Sequence, residues 1–380
     1  MLVIIWNLLF VYSLNYVIIE IGWDIIKPHG TNYVQLGRDY MRTFTGLQKK
    51  LIPDLLNIMQ QRYFILQAVE NFEPIGRRSL ADHLNMTERY VRSEVDFLHN
   101  QGLLDVTSKG MYISKEGKLV LEQLSDMMRE IVGLSVLEKQ IREKLKVRNV
   151  IIVPGNSDEY EWVKQEMGKA CVAYLKKIVT THSIIAVTGG TTMAAIADVM
   201  IPLNHRILFV PARGGVGEKA ENQASRVVSE MANKTNSEYR QLFVPDPLSE
   251  SAYQTLINEP TIKDVLEQIK SSNIVIHGIG DANTMAKRRK ASEETMQKLI
   301  TNHAVSEAFG YYFNQDGSVV HKVRTVGLQL EDLSSVDHVV AVAGGTSKAE
   351  AIESYFKQGK SDLLITDEAA AEQILRGKSF

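Results

Sequence analysis

Two glycine-rich segments of this chain have the composition of anion-binding loops. The first reads AVTGGTTMAA (186–195) and the second reads AVAGGTSKAE (341–350). In each segment an apolar run typical of a strand ends at Gly-Gly-Thr and is followed by a helical pattern. Glycine lets a ligand approach the backbone closely, and the amides at a helix start attract negative charge. The pattern predicts phosphate binding at both segments, with a tight turn that binds nothing as the alternative.

Basic side chains accompany glycines in further loops. The segment PARGGVGE (211–218) places Arg213 beside two glycines, and HGIGDANTMAKRRK (277–290) ends in a run of basic residues. Within that run Arg288 or Arg289 is the expected ligand contact, and a solvated charged face is the alternative. Several such loops suggest a ligand with more than one phosphate. The candidate phosphate ligands are Gly190, Thr191, Thr192, Arg213, Gly214, Gly215, Gly278, Gly280, Lys348 and either Arg288 or Arg289.

A phosphorylated sugar also needs hydrogen-bond acceptors for its hydroxyl groups. Glu307, within AVSEAFGYYF, and Asp281, within GIGDAN, are the candidates, and an ion pair is an equally good interpretation of either carboxylate. The chain has no P-loop motif and no strand-placed G-x-G-x-x-G, and its histidines are scattered. We therefore expect neither a cofactor nor a bound metal.

The candidate ligands follow short apolar strands that alternate with amphipathic helices from residue 149 onward. The strand sequences are NVIIVPG, SIIAVTGG, HRILFVPARGG, RQLFVP, SNIVIHGIG, DHVVAVAGG and LLITD. Strands separated by helices are typical of a mostly parallel, doubly wound α/β sheet, which binds ligands at the carboxyl ends of its strands. We therefore predict a Rossmann-like effector domain over residues 149–380, with its loops gathered at one edge of the sheet.

Residues 41–117 have the pattern of a winged helix-turn-helix. Ser79 and Thr87 are predicted to cap two consecutive helices, and LLDVTSKGMYIS is typical of a hairpin. Arginines on such helices bind phosphates or read guanine edges. We predict a DNA-binding domain, with a protein-interaction domain as the alternative. The candidate DNA contacts are Arg77, Arg78, Arg89, Tyr90, Arg92 and Ser93.

Residues 118–148 continue with helical spacing that is interrupted at Gly133. One interpretation is a linker helix that pairs with a second copy of the chain, which would give a dimer or a tetramer. The other is a surface helix packed on its own domain. The spacing alone favours neither.

Charge and cysteine usage narrow the class of protein. The net charge is −2, so any nucleic-acid contact must come from a local basic patch. The single cysteine, Cys171, permits no disulfide and no cysteine-based zinc site, and its helical surroundings indicate a buried, inert thiol. A reducing, cytoplasmic location fits this composition.

Residues 1–40 are apolar enough to raise a separate question. The favoured interpretation is an upstream start-site artefact, because Met41 opens a sequence typical of a natural start. A membrane anchor that leaves the rest of the chain cytoplasmic and an extra core element are the alternatives. No stable membrane association is expected.

Together these segments resemble the SorC family of bacterial sugar-responsive regulators. The resemblance extends from residue 41 to near the C-terminus and rests on QKKLIPDLLNIMQQRYFIL, EPIGRRSLADHL, VPARGGVGE, HGIGDANTMAKRR, EAFGYYFN and VAVAGGTSKAEAI. It implies an effector domain similar to sugar-phosphate isomerases in a repressor of the operon for glyceraldehyde-3-phosphate dehydrogenase and following glycolytic enzymes. It also implies fructose-1,6-bisphosphate as the inducer, held by the candidate phosphate ligands and by Glu307.

The alternative function is a sugar-phosphate isomerase-like enzyme, because the implied fold is similar. An isomerase needs a placed carboxylate base. Asp281 lies in a suitable loop, but no histidine follows it there and no convincing acid–base pair is present. We therefore predict a sensor without catalytic residues, whose partners are operator DNA and a phosphorylated sugar. A protein-interaction scaffold, the third class considered, would leave the glycine-rich basic loops unexplained.

Overall fold

The structure, a computed structural model, describes residues 47–48, 50–216, 220–358 and 361–377. The interpretations of residues 1–40 lie outside these ranges. The internal contacts divide the chain into residues 1–53 and 54–380. In the first unit, residues 47–48 and 50–51 are helical. The second unit contains the elements described next.

Three helices and an antiparallel hairpin open the second unit, which is the arrangement of a winged helix-turn-helix. The helices are α1 (Pro53–Phe72), α2 (Arg77–Leu84) and α3 (Glu88–Asn100), and the hairpin strands are β1 (Leu104–Thr107) and β2 (Gly110–Ile113). One buried core joins all of these elements, and it includes Ile65, Leu80, Val91, Val95, Leu98, Leu104 and Met111. The predicted architecture is confirmed.

Local chemistry explains where these helices begin and end. Thr87 caps α3 as predicted, because its hydroxyl accepts a hydrogen bond from the Tyr90 amide at 3.3 Å. The prediction for Ser79 is wrong, since α2 already begins at Arg77 and Ser79 lies in its first turn. Asn85 ends α2 in the left-handed conformation, with a φ of 51°, and so makes the tight turn into α3.

Two helices occupy the segment interpreted as a linker. They are α4 (Lys115–Val132) and α5 (Leu134–Leu145), separated by Gly133 with a φ of 86°. Helix α5 buries Leu134 and Leu145 in the core of the C-terminal domain. Packing on its own domain is therefore the observed arrangement for the second half of the segment.

A seven-stranded parallel sheet forms the centre of the C-terminal domain. Its strands, in spatial order, are β3 (Asn149–Val153), β15 (Leu363–Asp367), β14 (His338–Val342), β9 (Ile274–His277), β4 (Ile184–Val187), β5 (Leu208–Pro211) and β7 (Glu238–Tyr239). Val275 of β9 enters one buried apolar cluster, and Ile274 and Ile276 enter another, so the sheet is covered on both faces. The predicted doubly wound α/β fold is confirmed.

The helices of this domain lie between and beside the strands. They are α6 (Glu161–Ile178), α7 (Thr191–Asp198), α8 (Ala224–Thr235), α9 (Glu250–Leu256), α10 (Pro260–Lys270), α11 (Ala282–Arg288), α12 (Glu293–Thr301), α13 (Ala349–Phe356) and α14 (Glu368–Arg376). Helix α6 buries Cys171, and burial raises the pKa of its thiol to about 12, so it is inert as predicted. Within the described residues, no helix is both long and apolar enough to cross a membrane.

The segment RQLFVP (240–245) is not a strand of the main sheet, contrary to the prediction. The strand at this edge is β7, and the chain then turns away so that β8 (Pro245–Asp246) pairs with β6 (Gly215–Val216). Phe243 is 79% exposed, which a covered strand would not allow. The turn brings the Asp246 carboxylate to Arg213. The buried ion pair between them stabilises the path that takes this segment away from the main sheet.

A four-stranded antiparallel sheet lies beside the main sheet and was not predicted. Its strands, in order, are β10 (Gly280–Asp281), β11 (Ala304–Ala308), β12 (Tyr311–Asn314) and β13 (Val319–Lys322). Phe309 and Gly310, both with positive φ, make the tight turn between β11 and β12. This sheet places Glu307 directly opposite Gly280.

Candidate functional site

A cavity of about 450 Å³ opens where the loops after the central strands meet. Both Gly-Gly-Thr segments reach it, the first through residues 189–192 and the second through Ser347 and Lys348. The predicted ligands that line it are Gly190, Thr191, Thr192, Arg213, Gly214, Gly278, Gly280, Arg288, Glu307 and Lys348, and Asp281 joins them. The expectation that the loops gather at one place therefore agrees with the structure.

Gly215 is the predicted ligand that does not line the cavity. Its amide donates a hydrogen bond to the Val244 carbonyl at 2.9 Å, and its strand β6 pairs with Pro245 and Asp246. The glycine pair at 214–215 therefore lies where this loop packs closely against residues 244–246. At Gly214 a Cβ would meet the Val244 carbonyl at 2.4 Å, which explains the need for glycine there.

The first Gly-Gly-Thr segment presents a helix start to the cavity. Gly190 precedes α7 with a φ of 123°, and its own amide donates to the Asn222 carbonyl at 2.8 Å. The first helical residues, Thr191 and Thr192, follow directly and line the cavity. The amides of a first helical turn have no acceptor inside the helix, so they are available to an anion.

The second Gly-Gly-Thr segment uses its amides differently from the prediction. The Gly345 amide donates to the buried Asp367 carboxylate at 2.7 Å. Ser347 donates to Asp158 twice, from its amide at 2.7 Å and from its hydroxyl at 2.9 Å. These carboxylates occupy the positions that an external phosphate would take, so phosphate binding by this backbone is not what the geometry favours.

Lys348 is the group through which the second segment faces the cavity. Its ammonium forms no hydrogen bond or ion pair with another residue that the structure describes. Partial burial lowers the pKa of Lys348, and Arg288 and Lys164 lower it further, against the opposing effect of Asp158 and Asp367. Lys348 and Arg288 both line the cavity, and an anion bound there would offset their mutual repulsion.

Four buried charges form a second polar cluster at the cavity. Arg213 pairs with Asp246 and with Glu307, the latter at 3.3 Å between Nη1 and Oε1. Arg289 pairs with Glu307 at 2.8 Å and lies 3.7 Å from Asp246. Each of the four is at most 6% exposed, and their formal charges cancel. Removing any one would leave an uncompensated charge in the interior.

This cluster changes the roles expected of two predicted ligands. Burial alone would raise the pKa of Glu307, but Arg289, Arg213 and the Gly310 amide together hold it below its usual value. Glu307 is therefore an ionised partner of two arginines, which is the ion-pair interpretation of this residue. The Arg213 guanidinium likewise pairs with the Asp246 and Glu307 carboxylates, which differs from the phosphate contact predicted for it.

Asp281 also has a structural role. It caps α11, and its Oδ1 accepts hydrogen bonds from the Thr284 amide at 2.8 Å and from the Thr284 hydroxyl at 2.7 Å. The carboxylate lines the cavity while this oxygen holds the helix start.

Several residues of the site were missed by sequence reasoning. Asp246 pairs with Arg213, and two further carboxylates accept hydrogen bonds from the second Gly-Gly-Thr segment, namely Asp158 and Asp367. None of the three lies beside a pair of glycines that would have marked it in the sequence. Arg289 was offered only as an alternative to Arg288; burial lowers and Glu307 raises its pKa, and the net shift is upward. In the described part of the chain, no cluster of His, Cys, Asp and Glu side chains could hold a metal ion.

The candidate DNA contacts divide into two groups. Arg78, Arg89, Arg92 and Ser93 are exposed. The Tyr90 hydroxyl donates to Gln61 of α1, and the tyrosine ring is half-buried. This hydrogen bond links α3 to α1, which is a structural role beside the predicted DNA contact.

The two exposed arginines of α3 differ in their surroundings. Arg92 pairs with Glu88 one turn earlier at 3.0 Å. Arg89 forms no ion pair with any residue in the described ranges. Arg77, at the start of α2, pairs with Asp96 at 3.0 Å, and this link joins the two helices. Arg89 and Arg78 are therefore the guanidinium groups most open to a phosphate or a base edge.

Comparisons with known proteins assign both halves of the chain to families. A family model described as "CggR N-terminal DNA binding domain" matches residues 58–128, and one described as "Putative sugar-binding domain" matches residues 129–376. The boundary between the two matches falls within α4. The match to the DNA-binding family thus extends beyond residue 117, and the sugar-binding match includes α5.

Two curated relatives are similar over most of this chain. The "Central glycolytic genes regulator" of Bacillus subtilis (strain 168) is 52% identical over 338 residues, which cover 88% of this chain and 99% of the relative. The protein of the same name from Priestia megaterium is 51% identical over 339 residues, with the same coverage.

Solved structures give the same assignment. A "putative SorC family transcriptional regulator" from Enterococcus faecalis is 44% identical with a TM-score of 0.60, covering 63% of this chain and 99% of that one. The full-length sorbitol operon regulator SorC from Klebsiella pneumoniae has a TM-score of 0.59 at 15% identity, covering 79% of this chain and 94% of that one. The second likeness concerns the fold alone.

Proposed function

We propose that this chain, which belongs to the SorC family of transcriptional regulators, represses glycolytic genes and releases its operator when it binds fructose-1,6-bisphosphate. The family is one of regulators, so the prediction of a regulator and not an enzyme is confirmed. The glycolytic target is taken from the name of the two curated relatives. We extend it to the operon for glyceraldehyde-3-phosphate dehydrogenase, as the sequence resemblance implies.

One observation carries the proposal: a single cavity has two positively polarised walls in a chain that also has a DNA-binding domain. The start of α7 at Thr191 is one wall, and Lys348 beside Arg288 is the other. A helix start and a cluster of cations each favour a phosphate. A sugar with a phosphate at each end matches such a cavity better than a sugar with one.

The buried charge cluster gives the cavity a rigid floor. Arg213 and Arg289 each pair with Glu307 and Asp246, and these ion pairs hold in place the Arg213, Arg289 and Glu307 side chains that line the cavity. Fixed polar groups bind a sugar's hydroxyls with little loss of side-chain freedom. We propose that the cluster orients the sugar ring, while the two walls bind the phosphates.

DNA contact is assigned to α3 and to the start of α2. Arg89, Arg92 and Ser93 lie on the exposed side of α3, and Arg78 is exposed at the start of α2. A helix-turn-helix of this kind binds as a dimer or a larger oligomer on spaced half-sites. We propose a homodimer or tetramer that acts in the cytoplasm.

Repression and release are linked through two conformations. The effector favours one arrangement of the chain, and operator DNA favours the other. A coupling free energy of this kind is reciprocal, so each ligand weakens the other by the same factor. Typical allosteric couplings change affinity by about 5- to 150-fold.

An isomerase-like reaction is the alternative, and the site does not favour it. Proton transfer between carbons needs a carboxylate that is free to accept a proton. Glu307 is held ionised by two arginines, and Asp281 caps a helix. No histidine is among the described residues that line the cavity.

A gel-shift titration on the promoter of the glyceraldehyde-3-phosphate dehydrogenase operon tests the proposal. We expect fructose-1,6-bisphosphate to release the operator. Fructose-6-phosphate and inorganic phosphate should release it only at much higher concentrations. An operator affinity that no sugar phosphate changes would refute the proposal. Turnover of a hexose or pentose phosphate by the pure protein would favour the enzyme instead.

A further inference from the structure

Helix α6 (Glu161–Ile178) lies between the cavity's first wall and the DNA-binding domain. On one side it crosses α7 at Gly168, where a Cβ would lie 3.1 Å from the Ala195 carbonyl oxygen and from the Ile196 Cα. Glycine at this crossing lets the two helix backbones approach closely. Since α7 begins at Thr191 in the cavity, a displacement of α7 would press directly on α6.

On its other side α6 contacts α1 of the DNA-binding domain through polar groups. Glu166 accepts hydrogen bonds from Gln67 Nε2 at 3.0 Å and from Asn71 Nδ2 at 3.3 Å. Lys169 donates to Asn71 Oδ1 at 2.9 Å, pairs with Glu166 at 2.9 Å, and lies 3.4 Å from Glu70. We name these five residues the interdomain clasp.

The clasp is more buried than an ordinary surface ion pair. The Glu166 side chain is 14% exposed, and Gln67 is 8% exposed. A mostly buried carboxylate needs all of its partners, because water cannot replace a lost hydrogen bond. The clasp is therefore sensitive to small shifts of α6 relative to α1.

A second attachment lies at the end of α4. Arg129 donates to the Ile152 carbonyl at 3.0 Å and pairs with Glu138, so the last turn of α4 is tied to the first strand of the sheet and to α5. The chain connection at Gly133 is adjacent. Two attachments, one at Arg129 and one at the clasp, fix an orientation that one attachment alone would leave variable.

We propose that Glu166 and Lys169 are positioning residues that transmit effector binding from α7 to the DNA-binding domain. The inference rests on the proposed function, because it names the route by which that effector acts. Ligand at the start of α7 shifts α7, the close crossing at Gly168 shifts α6, and the clasp re-orients α1 and the helices packed on it. Neither residue contacts the ligand or the DNA.

The test compares Glu166→Ala with Glu161→Ala. Glu161 is the matched control, because it also pairs with a lysine three residues later, Lys164 at 2.6 Å, but its side chain is 68% exposed and this ion pair stays within α6. Alanine is a good helix former, so both variants should fold. For each protein, the affinity for fructose-1,6-bisphosphate is measured by calorimetry, and the operator affinity by fluorescence anisotropy with and without that effector.

We expect the wild type and Glu161→Ala to show the same coupling factor, within the range of about 5- to 150-fold seen for allosteric proteins. In Glu166→Ala the factor should fall to within about twofold of 1, while the effector affinity stays within about threefold of wild type. If Glu166 had a purely structural role, Glu166→Ala would weaken binding or folding. The ratio of operator affinities without and with the effector would then stay as in the wild type.

Asn71→Leu provides a second variant from the other side of the clasp. It should lower the coupling factor as Glu166→Ala does, and the double variant should add little to either single change, since both remove one shared contact. If the wild type responds to the effector and both variants respond equally, the clasp inference is wrong while the proposed function stands. If the wild type itself does not respond, both are wrong.

Discussion

The loops at 189–192 and 344–348 have similar sequences, but their backbone amides face different partners. In the first, the helix start at Thr191 and Thr192 is directed to the cavity. In the second, Asp367 and Asp158 accept the amide hydrogen bonds, and only the side of Ser347 and Lys348 faces the cavity. A glycine-rich loop before a helix can therefore either direct its amides into a cavity or bind a carboxylate of its own chain.

The difference shows how one motif can serve two purposes in one cavity. An internal carboxylate fixes the second loop in place and so positions the Lys348 ammonium. Among the described residues, no carboxylate accepts a hydrogen bond from the helix start of the first loop, so its amides are open to the cavity. Removing the internal partner should therefore affect stability, whereas changing the wall groups should affect effector binding.

The largest effect is expected from Asp367→Ala. Asp367 is fully buried and accepts the amides of Gly345 at 2.7 Å, Ser157 at 2.8 Å and Ala370 at 2.9 Å. Leaving three buried donors without an acceptor should lower the free energy of unfolding by about 3 kcal/mol or more. Urea denaturation measures this loss in the free energy of unfolding. Asp158→Ala is the control, because it removes an exposed carboxylate. A smaller loss for Asp367→Ala than for Asp158→Ala would reverse the comparison.

Lys348→Ala should act on the effector and not on the fold. Losing one charge-assisted contact to phosphate, about 1.5–3 kcal/mol, weakens fructose-1,6-bisphosphate binding by roughly 10- to 150-fold. Operator affinity without effector should stay unchanged. Lys357→Ala, at the far end of α13, is the control, because this lysine donates to the Gln315 carbonyl outside the cavity. Calorimetric titration measures the affinity of each variant for fructose-1,6-bisphosphate. Equal affinities would show that Lys348 does not contact the effector.

Gly190→Ala and Gly345→Ala compare the loops directly. Both glycines have positive φ, 123° and 98°, so alanine strains either backbone by about 1–3 kcal/mol. At 190 a Cβ meets nothing within 4 Å, whereas at 345 it would lie 2.3 Å from Asp158. Thermal unfolding should therefore show the greater loss for Gly345→Ala. Equal losses would mean that Asp158 moves aside freely and does not hold the loop.

Asp158→Asn should have the smallest effect, and it should raise the effector affinity that Lys348→Ala lowers. The substitution keeps an oxygen acceptor for Ser347 but removes a negative charge whose influence reaches Lys348. A neutral amide there should strengthen effector binding by about two- to fivefold, as expected for a partly exposed charge. The gain should shrink as salt concentration rises. Weaker binding would indicate that the carboxylate positions the loop more than its charge opposes the ligand.

Features that depend on neighbouring residues could be predicted from the sequence. Thr87 caps its helix, the parallel strands end where glycines follow them, and Cys171 is buried, because each depends on chemistry within a few positions. The same local reasoning predicted eleven effector ligands, and all but Gly215 line the cavity.

Features that depend on distant partners could not be predicted. Arg213 meets Asp246 after 33 residues, and Ser347 meets Asp158 after 189 residues. In the sequence, Arg213 beside two glycines looks the same whether its guanidinium binds a phosphate or a buried carboxylate. The turn of Tyr90 toward Gln61 is another such case, because only the packing of α3 on α1 decides which side of the helix faces solvent.

The central claim is that one chain couples a sugar phosphate to DNA, and reciprocal titration tests it most directly. Fructose-1,6-bisphosphate is titrated calorimetrically into the protein alone and into its operator complex. We expect weaker effector binding in the complex, by the same factor with which the effector weakens operator binding. A single effector affinity, unchanged by operator DNA, would contradict it.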